Sequence, residues 1–248
     1  MTTALQALRS LVFIAVMYLS MAVLAVVYLL PALFTENAAF HGVNVYCRFV
    51  RWAARVIVGL RSEIRGTPPE GEVIIASKHQ SFFDIIMIIS AVPRPKFIMK
   101  KQLVYTPIVG FYARRIGCIP VDRGKRSTAV KKMLADVMEG RARPGQLIIF
   151  PQGTRVAAGA RLPYKVGAGV LYRETGQVVI PAATNVGVFW KRHGIMRLPG
   201  LAVVEFLPAI EPGLEMPAFM ARLEEVVEAR SDQLMAEAGF TEFADGDD

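Results

Sequence analysis

The sequence predicts an α/β domain, a mixed and largely parallel sheet flanked by helices, carried on an N-terminal two-helix membrane element. Three observations predict it. Short apolar runs that end in polar or Gly/Pro breaks alternate with helix-period stretches from residue 72 to residue 238, the pattern of strands crossed over by helices. A run of uncharged, mostly apolar residues extends from Ser10 to Phe34, long enough as a helix to cover a bilayer core. The chain as a whole is 53% hydrophobic with a mean hydropathy of +0.38, too apolar for a disordered or purely water-facing protein of 248 residues.

The elements follow in order. The run around Leu11–Leu33 has a single preceding arginine, Arg9, and no small-residue cleavage site, so it reads as a retained anchor. Pro31 and Thr35-Glu36-Asn37 are placed to turn the chain. From Val43 to Leu60, Arg48, Arg51 and Arg55 share one helical face, while Val45, Phe49, Trp52, Val56 and Ile57 fill much of the rest. That suits a helix lying on anionic lipid, and equally a helix packed on its own domain. Basic residues are heavier after the first segment, which expects the domain on the cytoplasmic side of an inner membrane. Residues 1–65 are therefore expected to be membrane-anchoring helices, and 66–248 one domain entered through Gly66-Thr67-Pro68-Pro69-Glu70-Gly71.

Within the domain, strands are expected at 72–77, 96–99, 118–121, 146–150, 178–183 and 202–206. Helices are expected at 82–90, 107–116, 127–139, 167–175 and 217–238. The last of these reads as an acidic, amphipathic terminal helix with Leu223, Val226, Val227 and Leu234 at helical spacing, its bland reading a solvated surface helix, followed by a frayed Asp-Gly-Asp-Asp tail. Charge divides with it: residues 1–200 carry a net +18 and the last 48 a net −10, giving the overall +8. A surface this basic expects an anionic partner. The chain has no nucleic-acid motif, and two cysteines and three histidines leave neither a disulfide scaffold nor a zinc cluster, so no metal is expected.

Polar chemistry collects where apolar strands end. Lys78-His79-Gln80-Ser81 follows the first domain strand and precedes an apolar helix. His79 and Asp84 would stand about 140° apart in one continuous helix, so they can pair only if His79 lies in the loop and Asp84 in the first turns, with Ser81 as N-cap. Such a pair would deprotonate a substrate hydroxyl directly, there being no serine or cysteine at nucleophile-elbow spacing. Arg123, after Gly117-Cys118-Ile119-Pro120-Val121-Asp122, is suited to hold a phosphate bidentately. In Phe150-Pro151-Gln152-Gly153-Thr154-Arg155, Gly153 permits close approach to the backbone, and Thr154 and Arg155 supply donors for an anion. Val179-Ile180-Pro181 by itself signals only a strand. Each of these alone is equally compatible with an ordinary loop or turn.

In this order and spacing the four segments resemble the four blocks of the glycerolipid acyltransferase family, in particular its bacterial 1-acyl-sn-glycerol-3-phosphate acyltransferases. The resemblance covers about residues 70–210 and extends to the N-terminal membrane element and to Pro163-Tyr164-Lys165-Val166-Gly167. It implies the glycerolipid acyltransferase fold and an O-acyltransferase that moves an acyl chain from acyl-CoA or acyl-carrier protein to the sn-2 hydroxyl of lysophosphatidic acid, giving phosphatidic acid, with no cofactor beyond the thioester co-substrate. On that resemblance His79 is the general base and Asp84 orients it, while Arg123, Gly153, Thr154 and Arg155 bind the acceptor's phosphate. The fourth block, with Pro181, helps shape the acyl site. Lys100, Gln152 and Lys165 are further candidates for substrate contact. One departure stands out: the family's third block usually carries Glu where this chain has Gln152, which keeps shape but loses charge. It leaves room for another lyso-lipid acceptor, such as a lyso-ornithine lipid. From a different class, a non-catalytic basic membrane-binding protein shares the charge and the anchor. Oligomeric state is not legible in the sequence.

Overall fold

The computed structural model describes residues 3–122, 126–138 and 144–243. A seven-stranded sheet runs through the domain with helices on both faces. Its strands are β1 (Leu60–Arg65), β2 (Val73–Ser77), β3 (Pro95–Lys100), β4 (Ile119–Val121), β5 (Gln146–Ile149), β6 (Val179–Thr184) and β7 (Gly200–Phe206), in the order β1-β7-β6-β2-β5-β3-β4. Every neighbouring pair is parallel except β6–β7. The mixed, mostly parallel sheet expected from the alternation is therefore present.

β2 and β5 read as continuous apolar runs because both their faces are covered. On one face Ile75 and Ile148 pack with Phe83, Ile86 and Met87 of α4 (Phe83–Ala91) and with Cys47, Val50 and Ala53 of α3 (Glu36–Ala53). On the other, Ile74, Ala76, Leu147 and Ile149 meet α7 (Gly167–Thr175) and α9 (Met216–Glu237). The remaining helices are α1 (Thr3–Val27), α2 (Leu29–Phe34), α5 (Pro107–Arg115), α6 (Arg126–Met138) and the short α8 (Val186–Phe189).

Several expectations are corrected at the N-terminus. The apolar run is two helices broken at Tyr28, because Pro31 has no N–H for the Val27 carbonyl and its ring crowds that turn. Pro31 thus makes a kink, and the reversal falls at Thr35, whose hydroxyl accepts from Asn37 N–H at 3.3 Å and starts α3 seven residues before the expected position. Among the described residues one helix, Thr3–Val27, is long and apolar enough to cross a membrane, not two. α3 is amphipathic and packs on its own domain. Arg51 turns inward to donate to Ser62 Oγ at 2.8 Å, Ser62 O at 3.2 Å and Ser90 Oγ at 2.9 Å. Beyond Ala53 a π-helical turn, Ala54–Val58, ends at Gly59 with φ of 74°, and Leu60 already belongs to the sheet. Residues 60–65, expected among the anchoring helices, are the parallel edge strand β1, hydrogen-bonded to β7 across Leu60↔Gly200 to Arg65↔Glu205.

The acidic C-terminal helix is amphipathic, as its apolar spacing expects, and its inner face is core, so the bland reading as a solvated surface helix does not hold. Phe219, Leu223 and Val227 are fully buried in the second core, and Phe219 stacks on Tyr172 at 3.9 Å with the rings nearly parallel. Its charges occupy the outer face, apart from Glu228, which is buried. The expected frayed acidic tail begins where the described residues end.

Candidate active site

Register brings the site together. Ala76 of β2 pairs with Ile149 of β5 and with Pro181 of β6, so the chain leaving β2 at Lys78-His79 emerges beside the chain leaving β5 at Phe150. Ends of adjacent parallel strands are where α/β sheets present their ligand groups. The imidazole of His79 stacks on the Phe150 ring at 4.0 Å and 20°. The main chain ties the two loops, Val156 N–H donating to His79 O at 2.7 Å.

His79 Nδ1 donates to Asp84 Oδ1 at 3.0 Å, with Asp84 fully buried and His79 partly exposed. The pairing works in the way the 140° argument required: His79 is in the loop, and Asp84 in the first turn of α4 folds back over it. Asp84 Oδ2 accepts from Gln80 N–H at 2.8 Å and Ser81 N–H at 2.7 Å. The carboxylate therefore has three donors, two of them backbone, and they fix its orientation before substrate arrives. These two amides hold Asp84 and are not turned toward a reacting carbonyl. Ser81 is not the cap residue. Phe82 occupies that position without a side-chain cap, and Ser81, one residue earlier, still accepts from Phe83 N–H through Oγ at 3.3 Å. An imidazole oriented through Nδ1 by a carboxylate can take a proton at Nε2 and carry it as imidazolium.

The loop is braced from below. Gln80, fully buried, accepts from Gly187 N–H at 2.9 Å, and a Cβ at position 187 would stand 2.9 Å from Gln80 Cβ, so only glycine fits there. Phe83 stacks on Trp190 at 5.3 Å, Phe13 of α1 meets the same indole edge-on at 5.5 Å, and the Arg197 guanidinium covers it at 4.3 Å. Burial pulls the Arg197 guanidinium down to about 10. Gln6 and Ser10 of α1 bind the Arg197 loop, and Gln6 also the π-helical turn: Gln6 Nε2 donates to Arg197 O at 2.5 Å and to Val58 O at 3.1 Å, and Ser10 Oγ accepts from Arg197 N–H at 3.0 Å.

The third block forms the other wall. Gly153 has φ of +69°, and a Cβ there would lie 2.6 Å from Lys165 Nζ, so the glycine lets the Lys165 chain lie across the loop. Thr154 is half-buried beside it, and Arg155 Nη1 donates to Arg192 O at 3.3 Å, crossing to the loop before β7. Gln152 is buried, its amide donating to Leu162 O at 3.5 Å and Glu228 Oε1 at 3.4 Å. It faces the α9 side of the sheet and does not open into the His79 mouth. Pro181 is buried within β6 opposite Ala76, below the strand ends and away from the surface. Lys100 is exposed at the end of β3, beyond β5 from His79. Arg123 lies outside the described residues. Among the described residues no group of three or more His, Cys, Asp or Glu side chains could hold a metal ion.

Sequence reasoning did not find the buried Lys78–Glu228 ion pair or Tyr164, whose OH donates to Glu228 Oε1 at 2.9 Å. The available signal was a charge at position 228 directly following Val227 on the apolar stripe of α9.

The chain compares as follows. A family model described as Acyltransferase matches residues 61–185, beginning within β1. The 1-acyl-sn-glycerol-3-phosphate acyltransferase of Pseudomonas aeruginosa is 32% identical over 197 residues, which span 79% of this chain and 77% of that protein. The 1-acyl-sn-glycerol-3-phosphate acyltransferase alpha of Mus musculus is 28% identical over 163 residues, 63% of this chain and 57% of that protein. The crystal structure of the 1-acyl-sn-glycerophosphate acyltransferase PlsC from Thermotoga maritima superimposes with a TM-score of 0.77 at 19% identity, covering 93% of this chain and 97% of that one, and shares its fold. With its four blocks in order, its strand-end histidine–aspartate pair and a family match over half its length, the chain belongs to the acyltransferase family.

Proposed function

We propose that this enzyme is a membrane-attached O-acyltransferase that esterifies the sn-2 hydroxyl of lysophosphatidic acid to give phosphatidic acid, taking the acyl chain from acyl-CoA or acyl-carrier protein. The observation that carries the chemistry is the His79–Asp84 pair at 3.0 Å, its carboxylate held by two backbone amides at the end of β2. The acceptor class comes from the Pseudomonas and mouse relatives, whose names specify it.

In this reading His79 Nε2 takes the hydroxyl proton as the acceptor oxygen attacks the thioester carbonyl, and Asp84 stabilises the imidazolium that forms. The tetrahedral intermediate collapses with breakage of the C–S bond. The imidazolium returns its proton to the departing thiolate, leaving ester and free thiol. Thr154, Arg155 and Arg123 receive the acceptor's phosphate, and Gly153 lets it approach the main chain. Phe82, Ile195 and Leu198, exposed apolar side chains at the same end of the sheet, offer surface to the acyl chains.

Attachment rests on α1 and α2, where Leu11, Leu19, Val23, Val26, Leu30 and Phe34 are all exposed. An open groove of about 500 Å³ between α3 and β1, lined by Arg48, Arg51, Trp52, Arg55 and Arg61 with Glu63 as its one carboxylate, is net positive and suited to anionic headgroups. The same basic surface favours the cytoplasmic face of the inner membrane.

The test is product identification by mass spectrometry after incubating purified protein with a panel of lyso-lipids and both thioester donors. Phosphatidic acid should dominate, and His79→Ala should abolish it. A fully active His79→Ala protein would overturn the mechanism. Equal use of acceptors lacking phosphate would overturn the acceptor assignment, and preference for a lyso-ornithine lipid would replace it.

A further inference from the structure

On the sheet face away from His79 lies a buried polar cluster that the acyl-transfer chemistry does not use. Lys78 and Glu228 are 1% and 3% exposed, and Lys78 Nζ pairs with Glu228 Oε2. The other carboxylate oxygen, Oε1, accepts from Tyr164 OH at 2.9 Å and Gln152 Nε2 at 3.4 Å. Three separate parts of the chain meet at this one carboxylate. Lys78 immediately precedes the candidate base, Gln152 and Tyr164 belong to the loop that carries Gly153, Thr154 and Arg155, and Glu228 is on α9. The groups around it respond to a negative charge: burial and the Glu228 carboxylate together raise the Tyr164 phenol and the neighbouring Glu224 carboxyl above their usual ranges.

Such a cluster has room for one anion. Lys78 balances it, and Gln152 contributes a neutral donor. A glutamate at position 152 would put a second carboxylate against the first where water does not reach, at a cost that either protonation or displacement of the loop would have to absorb. Removing the charge at 228 would instead leave the Lys78 ammonium buried without its partner.

We propose that Glu228 is a positioning residue for catalysis, the single buried anion that clamps the His79 loop to the 150–165 loop, and that position 152 is an amide because it faces this anion. The catalytic base and the anion-binding residues then keep their separation because both loops bind the same carboxylate. The proposal rests on the acyl-transfer reading for its kinetic readout only.

The experiment is a double-variant cycle on the full chain in detergent, using Gln152→Glu, Glu228→Gln, the two combined, and Tyr164→Phe. Thermal midpoint, kcat and KM for the thioester are measured well below the lowest midpoint. Each charge variant alone should lower kcat about tenfold with KM within about twofold, and the combined variant, which restores one carboxylate facing Lys78, should return kcat to within about threefold of the parent. Tyr164→Phe, which removes one hydrogen bond, should lose about two- to threefold in kcat. Recovery in the combined variant separates positioning from mere packing, because two packing defects would add. Should a single variant fail to fold, a folded combined variant with near-parental kcat supports the clamp, and an unfolded or inactive one overturns it. Singles that keep kcat within twofold, or a combined variant no better than the worse single, also overturn it. A parent inactive on every lyso-lipid would defeat the acyl-transfer reading, and the thermal midpoints of the same four proteins would still decide the clamp: recovery supports it and additivity overturns it.

Discussion

α1 and α9 are the two longest helices of the molecule, and they invert the usual relation between composition and burial. α1 carries one charge in 25 residues, yet the side chains it buries are Gln6, Ser10, Phe13 and Met17, two of them polar, while most of its apolar surface is exposed. α9, 22 residues with seven charges, buries Phe219, Leu223, Val227, Leu234 and Met235 against the sheet and turns its charges outward, Glu228 excepted. Burial here follows what each helix is packed against. α9 closes the second core, so its apolar stripe is the inner one. α1 docks through its first turns by hydrogen bonds to Val58 and Arg197 and leaves most of its apolar side chains exposed.

That contrast can be broken at several points. The largest effect is expected in α9: Phe219→Ala removes a fully buried ring stacked on Tyr172 and should cost about 3–5 kcal/mol in detergent-phase unfolding by denaturant. A loss under 1 kcal/mol would mean that α9 is an accessory cover and not part of the core.

Next comes Lys96 in β3, a buried cation to set beside the paired Lys78. Burial, outweighing the nearby Glu72 charge, lowers its ammonium from 10.5 to about 8. Between those values the unfolded chain holds the extra proton, so stability should rise with pH from about 8 to about 10.5. Comparison with Lys96→Met should isolate roughly 3 kcal/mol of that rise. Parallel stability–pH curves for parent and variant would contradict it.

A smaller effect is expected where the chain reverses between the apolar helices and α3. Thr35→Ala deletes the only side-chain cap of α3 and should lower the midpoint by an amount equivalent to about 0.5–1 kcal/mol.

The smallest change in stability belongs to the outer face of α1. Leu19→Gln, Val23→Gln and Val26→Gln, all exposed, should each shift unfolding by under about 0.5 kcal/mol in detergent. The combined variant should nevertheless move from sedimenting vesicles to the supernatant. Unchanged co-sedimentation would shift the burden of attachment to the arginine groove.

Much of this was legible beforehand, and the reasons differ by region. The parallel strands β2 and β5 announce themselves as short apolar runs because both faces are covered. The His79–Asp84 pair was legible through the four ordered blocks taken together, and helical geometry added only that it needs His79 in the loop and Asp84 in the first turn. β1 was not. Leu60-Arg61-Ser62-Glu63-Ile64-Arg65 has strand alternation, but an edge strand with one buried face and two arginines looks like the end of a basic amphipathic helix. The apolar stripe of α9 was legible at Leu223, Val227 and Leu234, but its charge count hid how deeply that stripe is buried. Glu228 was read with its acidic neighbours because sequence spacing gives a side chain's direction but not the lysine that meets it from 150 residues away.

β1 also has a consequence in time. It follows directly on the apolar N-terminal helices, and its only partner is β7, with Leu60 pairing to Gly200. On a ribosome adding about 5–20 residues per second, the 140 residues between them take about 7–28 s to appear. During that interval β1 is made but has no strand to join, while β2, β3 and β5 can already pair. The edge of the sheet that follows the apolar helices therefore waits for β7, although α3 can already pack on α4 and β2.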